Sequence, residues 1–401
     1  MYFRRIWFPD RGCVKRPFSP DTTKKYFSLF YSSGWSGEIL FTHPHRVSGI
    51  LFSASLLLFS SFSAFGQWTG GRATYSFLNL PSSARVSALG GQLISVADDD
   101  VSLAEGNPAL LNPGMHQQLA FHHSFLAGGV QHGYAAYGRY VEKWGASFHA
   151  GIKYIDYGTL QATNEFFQEL GEVEAHENAL LLGASLPLDE RLRAGVNARF
   201  ISSTLGTLES VGISSDLGLI YQDSAQKFSL ALTIRSLGTQ LSTYSGLAED
   251  REPLPFEIQI GLSKQLRYLP FRFSLLYENL QRWNILYDDP NAENGTLLLG
   301  EEPREPGRFA KSMDNFFRHL LFSGELLLGA RENFRLRMAY RHRTRKELSA
   351  QGFGSAAGFS FGVGIKVNRF RLDYGRSVYH LAGGSNHLGI STSLSAFRQK
   401  P

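Results

Sequence analysis

The chain has 401 residues, with 40 Lys and Arg against 35 Asp and Glu, and a formal charge of +5. One cysteine, Cys13, rules out an internal disulfide and any site built from several thiolates. A mean hydropathy of −0.16, with no long apolar run past the front of the chain, excludes a bundle of membrane-spanning helices.

Residues 1–45 carry no strand pattern. They precede a segment, 46–66, that reads as a secretory signal. Arg46 supplies the positive end, Ile50, Leu51, Phe52 and Leu56 to Phe59 the apolar centre, and Ala64-Phe65-Gly66 the small residues before a cut, leaving Gln67 as the first mature residue. The apolar run is too short and too serine-rich for a spanning helix of about 20 residues. Methionine is absent between Met1 and Met115, which points to an initiation site set too far upstream and residues 1–45 outside the mature protein. The first 66 residues hold eight basic side chains (Arg4, Arg5, Arg11, Lys15, Arg16, Lys24, Lys25, Arg46) and three acidic ones (Asp10, Asp21, Glu38), so the remainder has 32 of each sign. The sequence pI near 9.1 is therefore no nucleic-acid footprint, and no nucleic-acid partner is expected. Cys13 leaves with the same segment.

Residues 67–113 form a second section, expected to be a plug. Asn107-Pro108-Ala109 should start a turn or short helix, because proline fixes its own φ and restricts Asn107. Asp98, Asp99 and Asp100 are expected to face lumen arginines such as Arg193, Arg199 and Arg337. The three aspartates lack the D-x-D-x-D-G spacing with a distal Glu that a calcium loop needs, so capping or solvated charge is the expectation and no metal or other cofactor is assigned.

Residues 114–401 read as about fourteen strands of period 2. Leu192, Ala194, Val196, Ala198 and Phe200 alternate with Arg191, Arg193, Gly195, Asn197 and Arg199. Phe271, Phe273, Leu275 and Tyr277 alternate with Arg272, Ser274, Leu276 and Glu278. Phe334, Leu336, Met338 and Tyr340 alternate with Arg335, Arg337, Ala339 and Arg341, and Phe370, Leu372 and Tyr374 with Arg371, Asp373 and Gly375. Connections also alternate. Tight turns are expected at Glu142-Lys143, Asp189-Glu190, Gln222-Asp223, Arg267-Tyr268, Arg331-Glu332 and Asn368-Arg369. Long stretches are expected at Tyr157–Glu177, Leu237–Pro253, Gln281–Phe317, Arg343–Ala357 and Ser377–Asn386. A soluble sandwich shares the period-2 pattern. The signal, the loop parity, 41 glycines and 13% aromatic residues favour a transmembrane antiparallel β-barrel of the bacterial outer membrane, apolar face to lipid and arginine face to the lumen. The last strand is expected to run from Asn386 to Phe397.

Several stretches of this sequence resemble the PorQ family, an outer-membrane component of the type IX secretion system of Bacteroidetes. They are GGRATYSFLNLPSSARVSALGG (70–91), DDDVSLAEGNPALLNP (98–113), YAAYGRY (134–140), NLQRWNILYDDP (279–290), RTRKEL (343–348) and GFSFGVGIKVNRFRLDYGRSVYHLAGGSNHLGIS (358–391). The Asn-Pro-Ala element is common to the wider fatty-acid-transporter-like barrel superfamily. The resemblance implies a fourteen-stranded barrel with an N-terminal plug, holding a PorZ-like surface protein beside PorU-like and PorV-like components of an attachment complex. That complex removes secretion signals from cargo and joins it to lipopolysaccharide, so the chemistry would belong to a partner. The contact is expected on the outer loops Tyr157–Glu177, Gln281–Phe317 and Ser377–Asn386, with Trp283, Tyr287, Asp288 and Asp289 as anchors. Trp283 and Tyr287 also suit an interfacial aromatic belt. The alternative function is a channel for apolar small molecules.

No catalytic constellation is expected. No serine is expected in a nucleophile elbow, and no H-E-x-x-H occurs. His122, His123, His132, His149, His176, His319, His342, His380 and His387 are scattered and expected as girdle or lumen-lining residues. Gly352 to Gly364 lacks the Lys-Ser/Thr of a phosphate loop, and Asn294-Gly295-Thr296 reads as plain loop.

Overall fold

The structure, a computed structural model, describes residues 73–164, 166, 168–286, 307–329, 332–348, 356–380 and 383–398. The upstream extension, the signal segment, Gln67, Tyr287, Asp288 and Asp289 lie outside the described residues.

Among the described residues, fourteen strands close into one antiparallel barrel. In chain order they are β1 (Gln118–Phe125), β2 (Gln131–Val141), β3 (Ala146–Thr163), β4 (Glu169–Pro187), β5 (Leu192–Leu205), β6 (Leu208–Asp223) and β7 (Phe228–Ser242), then β8 (Glu257–Gln265), β9 (Phe271–Tyr277), β10 (Leu320–Leu328), β11 (Phe334–Arg341), β12 (Phe359–Val367), β13 (Phe370–His380) and β14 (Gly383–Ser393). Each pairs with its sequence neighbours, and β1 closes on β14 from Gln118↔Ser393 to Phe125↔Asn386, leaving no open edge.

The period-2 alternation decides which side of the wall each residue takes. On β5, Val196 and Phe200 are exposed, while Asn197 and Arg199 are buried. Leu180 and Leu182 on β4 are exposed and Leu181 between them is buried; on β13, Leu372 and Tyr374 are exposed and Asp373 is buried. The outside is thus an apolar surface that includes Phe121, Ile152, Leu219, Phe322, Met338, Phe361 and Ile390. A closed barrel with that exterior satisfies its backbone internally and presents oil to lipid, the arrangement that spans a bacterial outer membrane. No helix among the described residues is long and apolar enough to cross.

Loop lengths differ from the sequence expectation in a specific way. Tyr157–Glu177 and Ser377–Asn386 are mostly strand, since β3 runs to Thr163, β4 starts at Glu169, β13 runs to His380 and β14 starts at Gly383. The segment starting at Leu237 is strand as far as Ser242. The turn at Gly206-Thr207 between β5 and β6 is short although it lies at the long-connection end. Polar residues such as Thr159, Gln161, Glu172 and Glu174 read as loop, yet they pair across the β3–β4 hairpin. The antiparallel backbone ladder continues up this hairpin from a base fixed in the barrel, without needing apolar alternation along it. The turns at the other end are short; Asn368, at φ 54°, turns β12 into β13 in two residues. The last strand stops at Ser393, and Phe397 sits in a short helix, Ser395–Arg398, with its ring 5.9 Å from that of Phe370.

Candidate functional site: the plugged lumen and the outer end

Residues 73–117 occupy the inside of the barrel. They form short 3-10 turns and one α-helix, α1 (Ala84–Ala88), capped by Ser83, whose Oγ accepts from Val86 N–H. Three of the four 3-10 turns are capped the same way, and the first, Ser76–Asn79, has no side-chain cap. Asp100 accepts from Ser102 N–H at 3.2 Å, Asn107 from Ala109 N–H at 3.0 Å and Asn112 from Gly114 N–H at 2.8 Å. A segment too short for regular helices thus satisfies its buried backbone by side-chain caps.

Three apolar contacts seat it. Val86, Leu89, Leu93, Ile94, Leu103 and Leu110 pack on Ile220, Leu276, Leu321 and Ala339 of the wall. Val101, Ala104, Leu111 and Met115 pack on Ala120, Tyr134, Ala136 and Leu181. Tyr75, Phe77 and Leu78 pack on Ile155, Ala179, Ile201 and Leu254. The Asn107-Pro108 turn approaches the wall so closely that a Cβ on Gly195 would fall on the Pro108 carbonyl group, and one on Gly218 on Asn107 Oδ1. Asn107 also donates to Ile94 O at 2.7 Å.

Between these contacts lie two buried charge clusters. In the first, Arg85 of α1, fully buried, reaches Asp98 at 2.7 Å, Asp100 at 3.2 Å and Glu325 of β10 at 2.9 Å. Arg272 lies 3.3 Å from Asp98 and 3.4 Å from Glu325, and Arg335 lies 3.8 Å from Asp98. Arg337 joins Glu325 at 3.1 Å to Asp373 at 2.5 Å, and Arg371 reaches Asp99 at 2.9 Å. Five guanidinium groups meet five carboxylates. In the second, Glu105 of the plug takes Lys153 at 3.2 Å, Arg199 at 3.3 Å and Arg235 at 3.5 Å, and Arg199 also holds Asp216 at 2.5 Å. Lys153 Nζ further donates to the Leu78 and Leu80 carbonyls, and Asn197 to that of Ala104.

The plug carboxylates are tuned accordingly. Burial alone would raise Asp98, but Arg85, Arg272 and Arg335 outweigh it and hold the carboxyl well below the usual range. Burial opposes Glu105 in the same way, and Lys153, Arg235 and Arg199 bring it down to about 2.

The sequence-derived residues therefore find different partners from those expected. Asp98, Asp99 and Asp100 face Arg85, Arg272, Arg335 and Arg371, not Arg193, Arg199 and Arg337. Asp100 also caps a turn. Arg199 is taken by Glu105 and Asp216, Arg337 by Glu325 and Asp373. Arg193 is half-buried on the lumen side, and no ion pair to it occurs among the described residues. The expectation missed Arg85, Glu105, Asp216 and Glu325. Glu325 had a signal in the sequence, as the one charged residue in the mostly apolar β10.

No group of three or more His, Cys, Asp or Glu side chains is arranged to hold a metal among the described residues. One serine does match the nucleophile-elbow spelling, in Gly358-Phe359-Ser360-Phe361-Gly362, which the sequence reading overlooked. Ser360 lies within β12 rather than on a strand-to-helix turn, and its hydroxyl donates to Ser377 Oγ at 3.3 Å.

At the end with the long connections, β3 and β4 have 18 and 19 residues. About 9–11 tilted residues cross a membrane, so this side of the barrel stands well clear of it. Its exposed rim carries Glu172, Glu174, Glu209, Glu249 and Asp250. On the opposite side, the β9–β10 connection holds α2 (Arg308–Arg318) and the β11–β12 connection holds α3 (His342–Glu347). Trp283 is exposed there. Its carbonyl oxygen accepts from Asn315 Nδ2 at 2.6 Å, and its ring lies 6.0 Å from that of His319, which stacks on Tyr277 at 4.9 Å.

No protein-family model and no curated protein matches the chain in sequence. Among solved structures, it is similar to a Pseudomonas aeruginosa FadL homologue, at 10% identity and a TM-score of 0.43, over 78% of this chain and 98% of that one. It is also similar to a KdgM porin, at 6% identity and a TM-score of 0.29 over 69% of this chain and 99% of that one. With CdiB from Acinetobacter baumannii the values are 11% and 0.32, over 69% and 59%.

Proposed function

We propose that this barrel is a non-enzymatic anchor of the outer membrane, of the PorQ kind, which holds a PorZ-like surface protein within a type IX attachment complex alongside PorU-like and PorV-like components. The reading is carried by one observation: the lumen is occupied by a plug bound through buried charges and apolar contacts to many strands. A transport path needs an open or readily opened lumen. Ten ionised side chains locked against one another favour a fixed plug over a mobile one. The raised β3–β7 side, with its acidic rim, offers a surface above the membrane for a partner. The test is a mild-detergent pull-down from outer membranes with the tagged chain. A surface protein should co-purify, and deletion of the chain should release it and impair cargo processing. Deletion with surface proteins and cargo processing unchanged would defeat the anchor.

The second reading is a channel for apolar small molecules. It draws on a groove of about 640 Å³ in the lipid-facing wall, lined by Phe121, Ile152, Leu372 and Leu388, that reaches the inward-facing His122 and Tyr134. Under it, deletion would slow uptake of such molecules and leave the surface proteome intact.

A further inference from the structure

The helix α2 is amphipathic the wrong way round for a surface helix in water. Phe309, Met313, Phe316 and Phe317 recur at helical spacing and form one face, and they are 80%, 39%, 38% and 39% exposed. The polar side is the one that holds to the protein. Asn315, 3% exposed, donates to Trp283 O and accepts from Ile285 N–H at 3.0 Å. Asp314 takes Arg318 at 2.8 Å and lies 3.0 Å from His342 Nε2 and 3.6 Å from Lys346 of α3. A helix packed on a protein from water buries its apolar stripe; this one buries an amide, half-buries a carboxylate and turns phenylalanine outward.

Where the apolar face leads is visible in its ring contacts. The Phe316 ring lies 6.1 Å from that of Tyr277, the last residue of the lipid-facing row Phe271, Phe273, Leu275 and Tyr277 on β9. Phe317 lies 6.0 Å from His342, His342 lies 6.1 Å from Tyr340, and Tyr340 lies 5.0 Å from Phe359. Tyr340 and Phe359 face each other across the β11–β12 ladder on the same outer surface as Phe361. The face of α2 is therefore continuous with the wall that already meets acyl chains. The local charge is basic: Arg308, Lys311 and Arg318 on α2 and Arg343, Arg345 and Lys346 on α3, against Asp314, which Arg318 and Lys346 approach, and Glu347, which Arg343 approaches, so the patch keeps a net positive charge after its own pairs.

We propose that α2 is an interfacial helix that lies in the leaflet at the long-connection end. Its phenylalanine face sinks into the boundary between headgroups and acyl chains, and the basic residues of α2 and α3 take the phosphate groups of an anionic lipid. The occupant of this surface is the membrane itself rather than a protein. This holds whether or not the barrel also anchors a partner, and it reserves the acidic β3–β7 side for that partner.

The purified chain without residues 1–66 contains no cysteine, which makes a site-directed spin-label test direct. Nitroxides would be placed at Phe309→Cys and, separately, at Lys311→Cys in the barrel reconstituted into zwitterionic nanodiscs, with barrel folding checked by heat-modified electrophoretic mobility. The ratio of oxygen to nickel-chelate accessibility should be several-fold higher at position 309 than at 311. It should rise further at 309 when a phosphate-bearing glycolipid replaces part of the zwitterionic lipid. Equal ratios at the two positions in folded protein would show that the phenylalanine face is not the one that meets lipid and overturn the proposal. A high ratio at 309 that ignores the added phosphates would overturn the headgroup assignment.

Discussion

Glu325 accepts from Arg85 and Arg337 and lies within 3.4 Å of Arg272, so three cations share this one carboxylate. Removing one partner of a buried pair costs about 3–5 kcal/mol, because charge is left without compensation. Glu325→Ala should therefore destabilise the folded barrel by about that much, read as a lower midpoint of urea or heat unfolding in detergent. Asp99 is about half exposed with a single arginine partner, and Asp99→Asn should cost no more than about 1 kcal/mol by the same measurement. Acid should act through the plug carboxylates. Glu105 is depressed from the ordinary carboxylate range to about 2, so its contribution is full at neutral pH. It fades as pH falls below the unfolded value and is gone once pH drops through the folded one. Protease protection of the plug should accordingly be flat above about pH 5 and decay toward pH 2, whereas a Glu105→Gln barrel should lose protection at neutral pH and show a shallower acid dependence. At this scale the sequence disclosed the side of the wall but not the partner. The alternation placed Arg199, Arg337 and Asp373 inside because lipid would reject them. It gave no means of knowing that Arg85 would meet a carboxylate 240 residues away.

Elements show the same division. The Asn107-Pro108 turn was legible from local chemistry, since proline and an Asx cap act within three residues. Its berth was not, because Gly195 and Gly218 come from β5 and β6. Filling that berth should dislodge the turn: Gly195→Val puts branched carbon onto the Pro108 carbonyl, and the plug should become cleavable by protease while the barrel keeps its heat-modified mobility. If the mutant plug stays protected, the close approach does not hold the turn. The β3–β4 and β13–β14 hairpins look like loops in sequence because their polar residues carry no apolar alternation. Strand there is enforced by the ladder continuing upward from a closed barrel, a cause that lies outside the segment itself. Trp283 was singled out as a partner anchor or belt aromatic. Its backbone is tied to Asn315 and its ring sits by the buried His319, which fixes the base of α2.

For the whole molecule, closure has a measurable consequence. The wall has fourteen strands, a circumference that leaves a lumen its own side chains do not fill, and residues 73–117 fill it. The intact barrel in a planar bilayer should conduct poorly, and a chain lacking residues 73–113 should either conduct with large, steady steps or fail to fold around its unpaired lumen arginines. Large steady conductance from the intact barrel would show that the plug does not close it. The secretory signal, the parity of the connections, the composition and the period-2 alternation, taken together in the sequence, pointed to a lipid-facing barrel of about fourteen strands, because side-chain direction in a strand depends only on position along it and lipid sorts the two faces. Tertiary structure alone decided which charges neutralise which, where the plug docks and which connections remain strand. Those outcomes depend on distances between strands far apart in the chain, and no local pattern encodes such distances.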